Sequence, residues 1–415
     1  MPEAAIRASL VIVSRHRTET LLRCLTAVRQ LDHTAFELVV VADPEAAAAV
    51  RALDLPLKLV VCDEPNISAA RNAGIAQAAG EVVAFLDDDA VPEPTWLRRL
   101  TAPFADPKVS AAGGWVRSRN GISFQWQAGT VDRLTRPAPM AVPEDRVSLH
   151  RAAPGLAVEI KGTNCAYRRE VLCRLGGFDP GLRYYLDETE LNLRLAAMGA
   201  LVAVVPDAQV HHFKAGSRQR SARRVPRSLH DIGASTAITL RRHRASAAEI
   251  AETRDWLQRG ERAKLIRLMV EGAIEPRDVG RLQRTLDAGF AQGLAEALPP
   301  MLPLPEGPAF VPFPASPRPG RVLAGRLWQA NRLRSEAAAF AAGGEVVTLL
   351  LFDPTPRRHW QHYDPRGFWE QAGGLFGAAD RREPAAQFPR FGGRVVQETC
   401  RLSENRPTGH ATSAH

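Results

Sequence analysis

The chain has 415 residues, enough for two or three domains and a large core. Hydrophobic residues make up 45% and charged ones 24%, a balance that excludes a disordered or fibrous protein. The formal net charge of +9 favours anionic partners, whether nucleotides, diphosphates, acidic lipid surfaces or nucleic acid, without choosing among them.

Five cysteines (Cys24, Cys62, Cys165, Cys173, Cys400) show no CxxC pair and no zinc-type spacing, so a reducing compartment is expected rather than a disulfide framework. The apolar run at 9–14 is too short for a signal peptide, and no stretch reaches bilayer-spanning length. The expectation is a cytoplasmic protein that at most rests on a membrane surface.

In chain order, 9–14 reads as a strand, and 18–31 as a helix with Leu21, Leu22, Leu25, Val28 and Leu31 at helical spacing. Residues 36–43 read as a strand, 46–53 as a helix, 57–63 as a strand, 66–80 as a helix closed by Gly80, and 81–89 as a strand. Apolar strands with little internal alternation, separated by helices, predict an α/β protein with a parallel sheet covered on both faces. Such sheets bind ligands beyond the carboxyl ends of their strands, where Ser14, Arg15, Asp43, Asp63 and Asp87–Asp89 fall.

Further on, the sequence predicts a strand and turn at 109–121, a Pro- and Arg-rich loop to about 155, and one strand over 157–170. A Gly-Gly turn, a helix over 187–199 and a strand over 200–212 follow. Residues 214–244 are densely basic. Residues 246–298 read as a helical segment, 299–320 as a Pro-rich linker, and 321–401 as a small α/β extension opening with a helix over 321–342. The tail, 402–415, is expected to be disordered.

Asp87-Asp88-Asp89 closes an apolar strand. Three adjacent carboxylates desolvate and repel one another unless a cation neutralises them. Mg²⁺ or Mn²⁺ takes carboxylate oxygens and keeps positions for phosphate oxygens. The competing reading is a solvated acidic turn capping the next helix.

Ser68, Ala70, Arg71, Asn72 and Gly74 precede that strand, and together with the N-terminal segment they resemble the opening half of the inverting glycosyltransferases of family 2. A second segment, 162–217, resembles the acceptor half of the same family. It carries Gly176-Gly177-Phe178-Asp179, then Asp187-Glu188-Thr189-Glu190-Leu191 with Arg194, then a strand ending in His211-His212. The resemblance covers roughly 8–245. It implies a GT-A domain over 1–245: a Rossmann-like, mixed and mostly parallel sheet flanked by helices, with the nucleotide-sugar half to about 110, the acceptor half over 111–245, and a mainly helical C-terminal extension.

The resemblance further implies Asp89, Asp87 and His212 as ligands of Mn²⁺ or Mg²⁺. Ser14, Arg15, Asp43, Arg71, Asn72, Asp87 and Asp88 would contact a nucleotide-diphospho-sugar, and Glu190, Arg194, Lys214 and Arg218 the acceptor or the diphosphate. Glu188 stands where the family commonly has its base Asp, with Asp187 in the place of the preceding Glu; Glu188 is favoured and Asp187 stays its rival. Complementing the positive end of their helix is the alternative role for these acids. Asp43 lies in a VVVADPEA run unlike the family's Asp-Asp-Gly-Ser, which leaves the nucleotide open.

The implied activity is metal-dependent transfer of a sugar, with inversion, from a nucleotide diphosphate to a saccharide or lipid-linked acceptor, in bacterial surface polysaccharide or glycolipid synthesis. A basic surface would touch the membrane, and nucleic acid is not an expected partner. A sugar-phosphate nucleotidylyltransferase would need a Gly-rich G-x-G-x-R loop that the first strand lacks. A catalytically silent glycan-binding protein would have no use for two acidic clusters.

Overall fold

The computed structural model describes residues 5–213, 221, 225–380, 382–384 and 387–409, and the backbone of 411–413. Its first part alternates β1 (Ala8–Ser14), α1 (Thr18–Val28), β2 (Phe36–Ala42), α2 (Pro44–Arg51), β3 (Lys58–Val61), α3 (Ile67–Ile75) and β4 (Val82–Asp87), followed by β5 (Ala90–Pro92) and α4 (Trp96–Thr101). Strands β3, β2, β1 and β4 pair in parallel, as their apolar composition predicts. Every residue of β2 is buried because helices cover both faces of the sheet.

The second part contains β6 (Val109–Arg117), β7 (Phe124–Trp126), β8 (Gly129–Asp132), β9 (Pro137–Pro139), β10 (Ser148–Arg151), β11 (Leu156–Glu159), β12 (Asn164–Arg168), α5 (Arg169–Arg174), α6 (Asp187–Ala197) and β13 (Leu201–His212). Strand β12 lies antiparallel between β4 and β6, and β13 returns parallel to β6. The sheet order is β10-β13-β6-β12-β4-β1-β2-β3, with β5 on β13 and β7 on β6. This is the mixed sheet flanked by helices that the GT-A expectation describes.

The single strand expected at 157–170 is two strands in two sheets: β11 pairs with β8, and β12 enters the main sheet. The break falls at Lys161-Gly162-Thr163. A Cβ on Gly162 would meet the Arg71 guanidinium at 2.7 Å, so any larger residue here would displace that side chain from its present position.

Helices α7 (His230–Arg242), α8 (Ala247–Val270) and α9 (Pro276–Ala295) share one apolar cluster that includes Ile232, Leu240, Leu257, Leu282, Leu286 and Phe290. The boundary expected at 245 therefore cuts through a packed helical unit. Among the described residues, no helix is long and apolar enough to cross a membrane.

Residues 299–319 form no helix or strand, yet they are pinned. The Leu304 N–H donates to the Cys173 carbonyl at 3.0 Å, the Phe313 N–H donates to the Phe36 carbonyl at 2.8 Å, and the Phe313 ring packs 5.2 Å from that of Phe36.

The remaining chain builds β14 (Gly320–Arg326), α10 (Ala330–Ala342), β15 (Val346–Asp353), β16 (Trp360–Asp364), β17 (Phe368–Gly374), α11 (Phe391–Ser403) and β18 (Ala411–Ser413), with sheet order β16-β17-β15-β14-β18. The helix expected from 321 starts only at Ala330. Val322, Leu323 and Ala324 are consecutive and all buried, which suits a parallel strand covered on both faces rather than one stripe of a helix. The expected disordered tail is also corrected: Asn405 and Arg406 are buried, and β18 pairs with β14.

Candidate active site

The acidic triad straddles a strand end: Asp87 is the last residue of β4, and Asp88 and Asp89 form the turn into β5. Asp87 and Asp89 bring carboxylate oxygens close together. Asp88 points inward, fully buried, where it pairs with the Arg17 guanidinium. Burial pushes the Asp88 carboxyl up to about 7, with Arg17 pulling against it. Asp88 is therefore not placed to touch a nucleotide, a correction to the sequence expectation. Arg17 also reaches Asp89 at 3.1 Å. Burial would lower the Arg17 pKa, but the surrounding carboxylates outweigh it and hold the guanidinium charged.

Asp87, Asp89 and His212 each offer a ligand atom, and these atoms lie within 4.8 Å of one another. The His212 Nε2 stands 3.2 Å from an Asp89 oxygen, while its buried Nδ1 has no hydrogen-bond partner among the described residues. Two hard carboxylate oxygens and one imidazole nitrogen form a donor set that suits a divalent cation such as Mn²⁺ or Mg²⁺.

Facing this set is the start of α6. It is entered through Leu186 in the left-handed region (φ 65°), a conformation that costs a non-glycine residue about 1–2 kcal/mol. Such strain at a helix start is a mark of functional geometry. Asp187 is buried and held by the Arg71 guanidinium. Burial pushes its carboxyl up to about 7, against the pull of Arg71. Glu188, the next residue, is only half-buried.

Arg71 joins the two acidic clusters. Its Nη1 donates to Asp187, and its Nη2 donates to Asp87 and to the Gly162 carbonyl, both at 3.2 Å. Phe178 and Phe85 lie beside the guanidinium at 5.1 and 5.8 Å. Burial works against its charge, and Asp187 and Asp87 more than compensate.

Several residues expected in the site have other partners. Both polar atoms of Asn72 are taken by the Phe178 backbone: its Nδ2 donates to the carbonyl at 2.7 Å, and its Oδ1 accepts from the N–H at 2.8 Å. Glu190 receives the Arg194 Nε at 2.8 and 3.0 Å, and Arg194 then donates to the carbonyls of Leu175 and Gly177. Despite burial, Arg194 and His243 hold the Glu190 carboxyl down to about 2. Asn72, Glu190 and Arg194 thus build the Gly-Gly-Phe-Asp turn instead of meeting a ligand.

Asp43 caps α2, accepting from the N–H groups of Glu45 and Ala46, and its other oxygen accepts from the His16 N–H at 2.7 Å. These amides keep its carboxyl below the usual range in spite of burial. Ser14 is buried beside Asp88. Arg15 is on the rim, paired with Asp63 at 2.8 Å. Lys214 and Arg218 lie outside the described residues.

Three contributions escaped the sequence reading. Arg17 follows β1 by three residues, with the left-handed His16 (φ 57°) between them aiming the chain. Lys161 pairs with the buried Glu159 and lies 4.4 Å from the Trp126 ring. Burial raises the Glu159 carboxyl, Lys161 opposes this, and the charge of nearby Glu188 adds to it. The third is Glu93, which binds His211 on one side and Arg406 on the other. Arg17 and Asp88, like Glu93 and Arg406, are too far apart in sequence for any local period to link them, whereas the two-residue spacing of Glu159 and Lys161 was a signal available in the sequence.

The chain matches the family described as Glycosyltransferase like family 2 over residues 6–229, more than half its length. It is 29% identical over 231 residues to the O-antigen biosynthesis protein RfbC of Myxococcus xanthus, covering 52% of this chain and 18% of that one. It is 28% identical over 215 residues to the pre-mycofactocin glycosyltransferase of Mycobacterium tuberculosis, covering 49% and 42%. The chain thus spans less than half the length of either relative. A mannosyltransferase from Pyrobaculum calidifontis, solved with GDP-Man and Mn²⁺, superposes with a TM-score of 0.43 at 20% identity, over 71% of this chain and 88% of that one.

Proposed function

Because the chain belongs to glycosyltransferase family 2, we propose that it moves a sugar, with inversion, from a nucleotide-diphosphate donor to a saccharide or lipid-linked acceptor in surface polysaccharide or glycolipid synthesis. The observation that carries this reading is Arg71: one guanidinium touches both Asp87 at the end of β4 and Asp187 at the acidic helix start, so the two clusters share one site.

Asp87, Asp89 and His212 would hold Mn²⁺ or Mg²⁺, which supplies charge to neutralise a leaving diphosphate. Glu188 is the general base. It takes the proton of the acceptor hydroxyl as that oxygen bonds to the anomeric carbon, while the bond from that carbon to the diphosphate breaks and its electron pair leaves with the phosphate. Asp187 does not compete for this role, because its carboxylate is committed to Arg71. Arg71 fixes the distance between the cation-binding carboxylate and the helix carrying the base, a positioning contribution to near-attack geometry. Arg17 offsets part of the charge of Asp88 and Asp89, which makes the crowded carboxylates tolerable beside the cation.

The test is to incubate the protein with UDP- and GDP-sugars in the presence of Mn²⁺ or Mg²⁺, following donor binding and release of nucleoside diphosphate. The reading expects Asp89→Ala to abolish donor binding, and Glu188→Gln to bind donor without turning it over. Donor binding that ignores the metal and survives Asp89→Ala overturns it.

A further inference from the structure

Asp89 and His212 are held together by backbone. His212 stands opposite Ala90 where β13 pairs with β5, and the Phe213 N–H donates to the Asp89 carbonyl at 3.0 Å. The spacing of these two groups therefore follows the β5–β13 pairing. Strand β5 has only three residues, too few to define its own position.

The brace comes from the far end of the chain. Glu93 follows β5 directly, and His211 adjoins His212. The Glu93 Oε1 accepts from the His211 Nε2 at 2.8 Å. Arg406 then grips both Glu93 oxygens, from Nη2 at 2.6 Å and from Nε at 2.9 Å. The Trp369 ring lies 4.8 Å from the His211 ring and 4.0 Å from the Arg406 guanidinium. Glu93, His211, Trp369 and Arg406 are each at most 2% exposed.

The segment bearing Arg406 is hooked into the catalytic domain at two further points. The Arg99 Nη1 donates to the Asn405 side chain at 2.8 Å, and the Thr95 hydroxyl donates to the Asn405 carbonyl at 3.0 Å. A buried ion pair of this kind is weak evidence for stability, because desolvation offsets the attraction. Its two-pronged geometry does fix orientation, and residues behind a metal ligand tune the metal through orientation.

We propose that the C-terminal α/β unit is a positioning element for the cation site: Arg406 and Trp369, acting through Glu93 and His211, set the spacing of Asp89 and His212. The inference rests on the reading of Asp87, Asp89 and His212 as cation ligands. It gives the C-terminal unit a role in donor capture, although its own residues stand behind the site.

The experiment titrates Mn²⁺ into the full-length protein with UDP, and separately with GDP, following the free Mn²⁺ signal by electron paramagnetic resonance. Arg406→Gln is compared with the double variant Glu93→Gln/Arg406→Gln, which removes both charges of the pair, and with Trp369→Leu, which alters no charge. Thermal melting confirms that each is folded. The expected result is Mn²⁺ binding weakened about tenfold or more in the Arg406 variants, in the range for residues behind a metal ligand, with partial recovery in Arg406→Lys. Trp369→Leu shifts affinity the same way by a smaller factor. Unchanged Mn²⁺ affinity in the folded variants, with binding lost in Asp89→Ala, overturns the inference and leaves the cation reading standing. Equal Mn²⁺ binding by the wild type and Asp89→Ala overturns both.

Discussion

The two acidic clusters use similar residues and resolve their repulsion differently. At 87–89 the chain turns out of β4, with the middle carboxylate fully buried and the outer two close together. At 187–190 the helix carries its acids to different partners: Asp187 meets Arg71, Glu190 meets Arg194, and Glu188 is half-buried beside Asp187. On the proposed reading the first arrangement serves a cation, and the second supplies Glu188, next to Asp187, as the proton acceptor. Arginines engage both clusters: Arg17 meets Asp88 and Asp89, and Arg71 meets Asp87 and Asp187.

The sharpest way to break this contrast is Glu188→Gln, which should lower kcat by about 10²–10⁴, the usual worth of a general base, while donor binding stays within a few-fold. A comparable loss of donor binding would move Glu188 out of the base role. Next comes Arg71→Met, which leaves Asp187 buried without its counter-ion. Urea unfolding should show a loss of about 3–5 kcal/mol, the cost of breaking a buried pair from one side. A neutral result would mean that the two clusters are not joined through this residue.

Asp88→Asn has a smaller expected effect, about 1–3 kcal/mol of stability for a disturbed buried polar contact, with Mn²⁺ affinity close to wild type. If it abolished Mn²⁺ binding as Asp89→Ala should, the inward assignment of Asp88 would be wrong.

The finest distinction is in the pH dependence of melting. The Glu190 carboxyl is held at about 2 in the fold against 4.5 in its ordinary state, so its contribution is present above about pH 4.5 and is lost as pH falls towards 2. Asp187 carries the opposite sign: raised to about 7 from 3.8, its contribution is full at low pH and is lost as pH rises through 7. Glu190→Gln should therefore flatten the acid limb of a melting-temperature profile, and Asp187→Asn the neutral limb. Flattening on the same side in both variants would contradict the different partners assigned to them.

Much of this was legible from local pattern. Strands β1, β2 and β4 and helix α1 sit where apolar runs and helical spacing put them, and the Asp87–Asp89 strand end follows from the run before it. The division of the 157–170 segment was less accessible, because the reason for Gly162 is an arginine 91 residues away.

By itself the sequence determined the order of elements, the position of two acidic clusters and the family, because these depend on spacing within about one element. Tertiary structure alone decided which polar groups face a ligand and which are consumed: Asn72 by a backbone 106 residues on, Asp187 by Arg71 across 116, and Glu93 by Arg406 across 313. A periodic pattern records which face of a strand or helix is buried. It carries no record of which distant charge will come to lie against that face, and that pairing is what the folded chain adds.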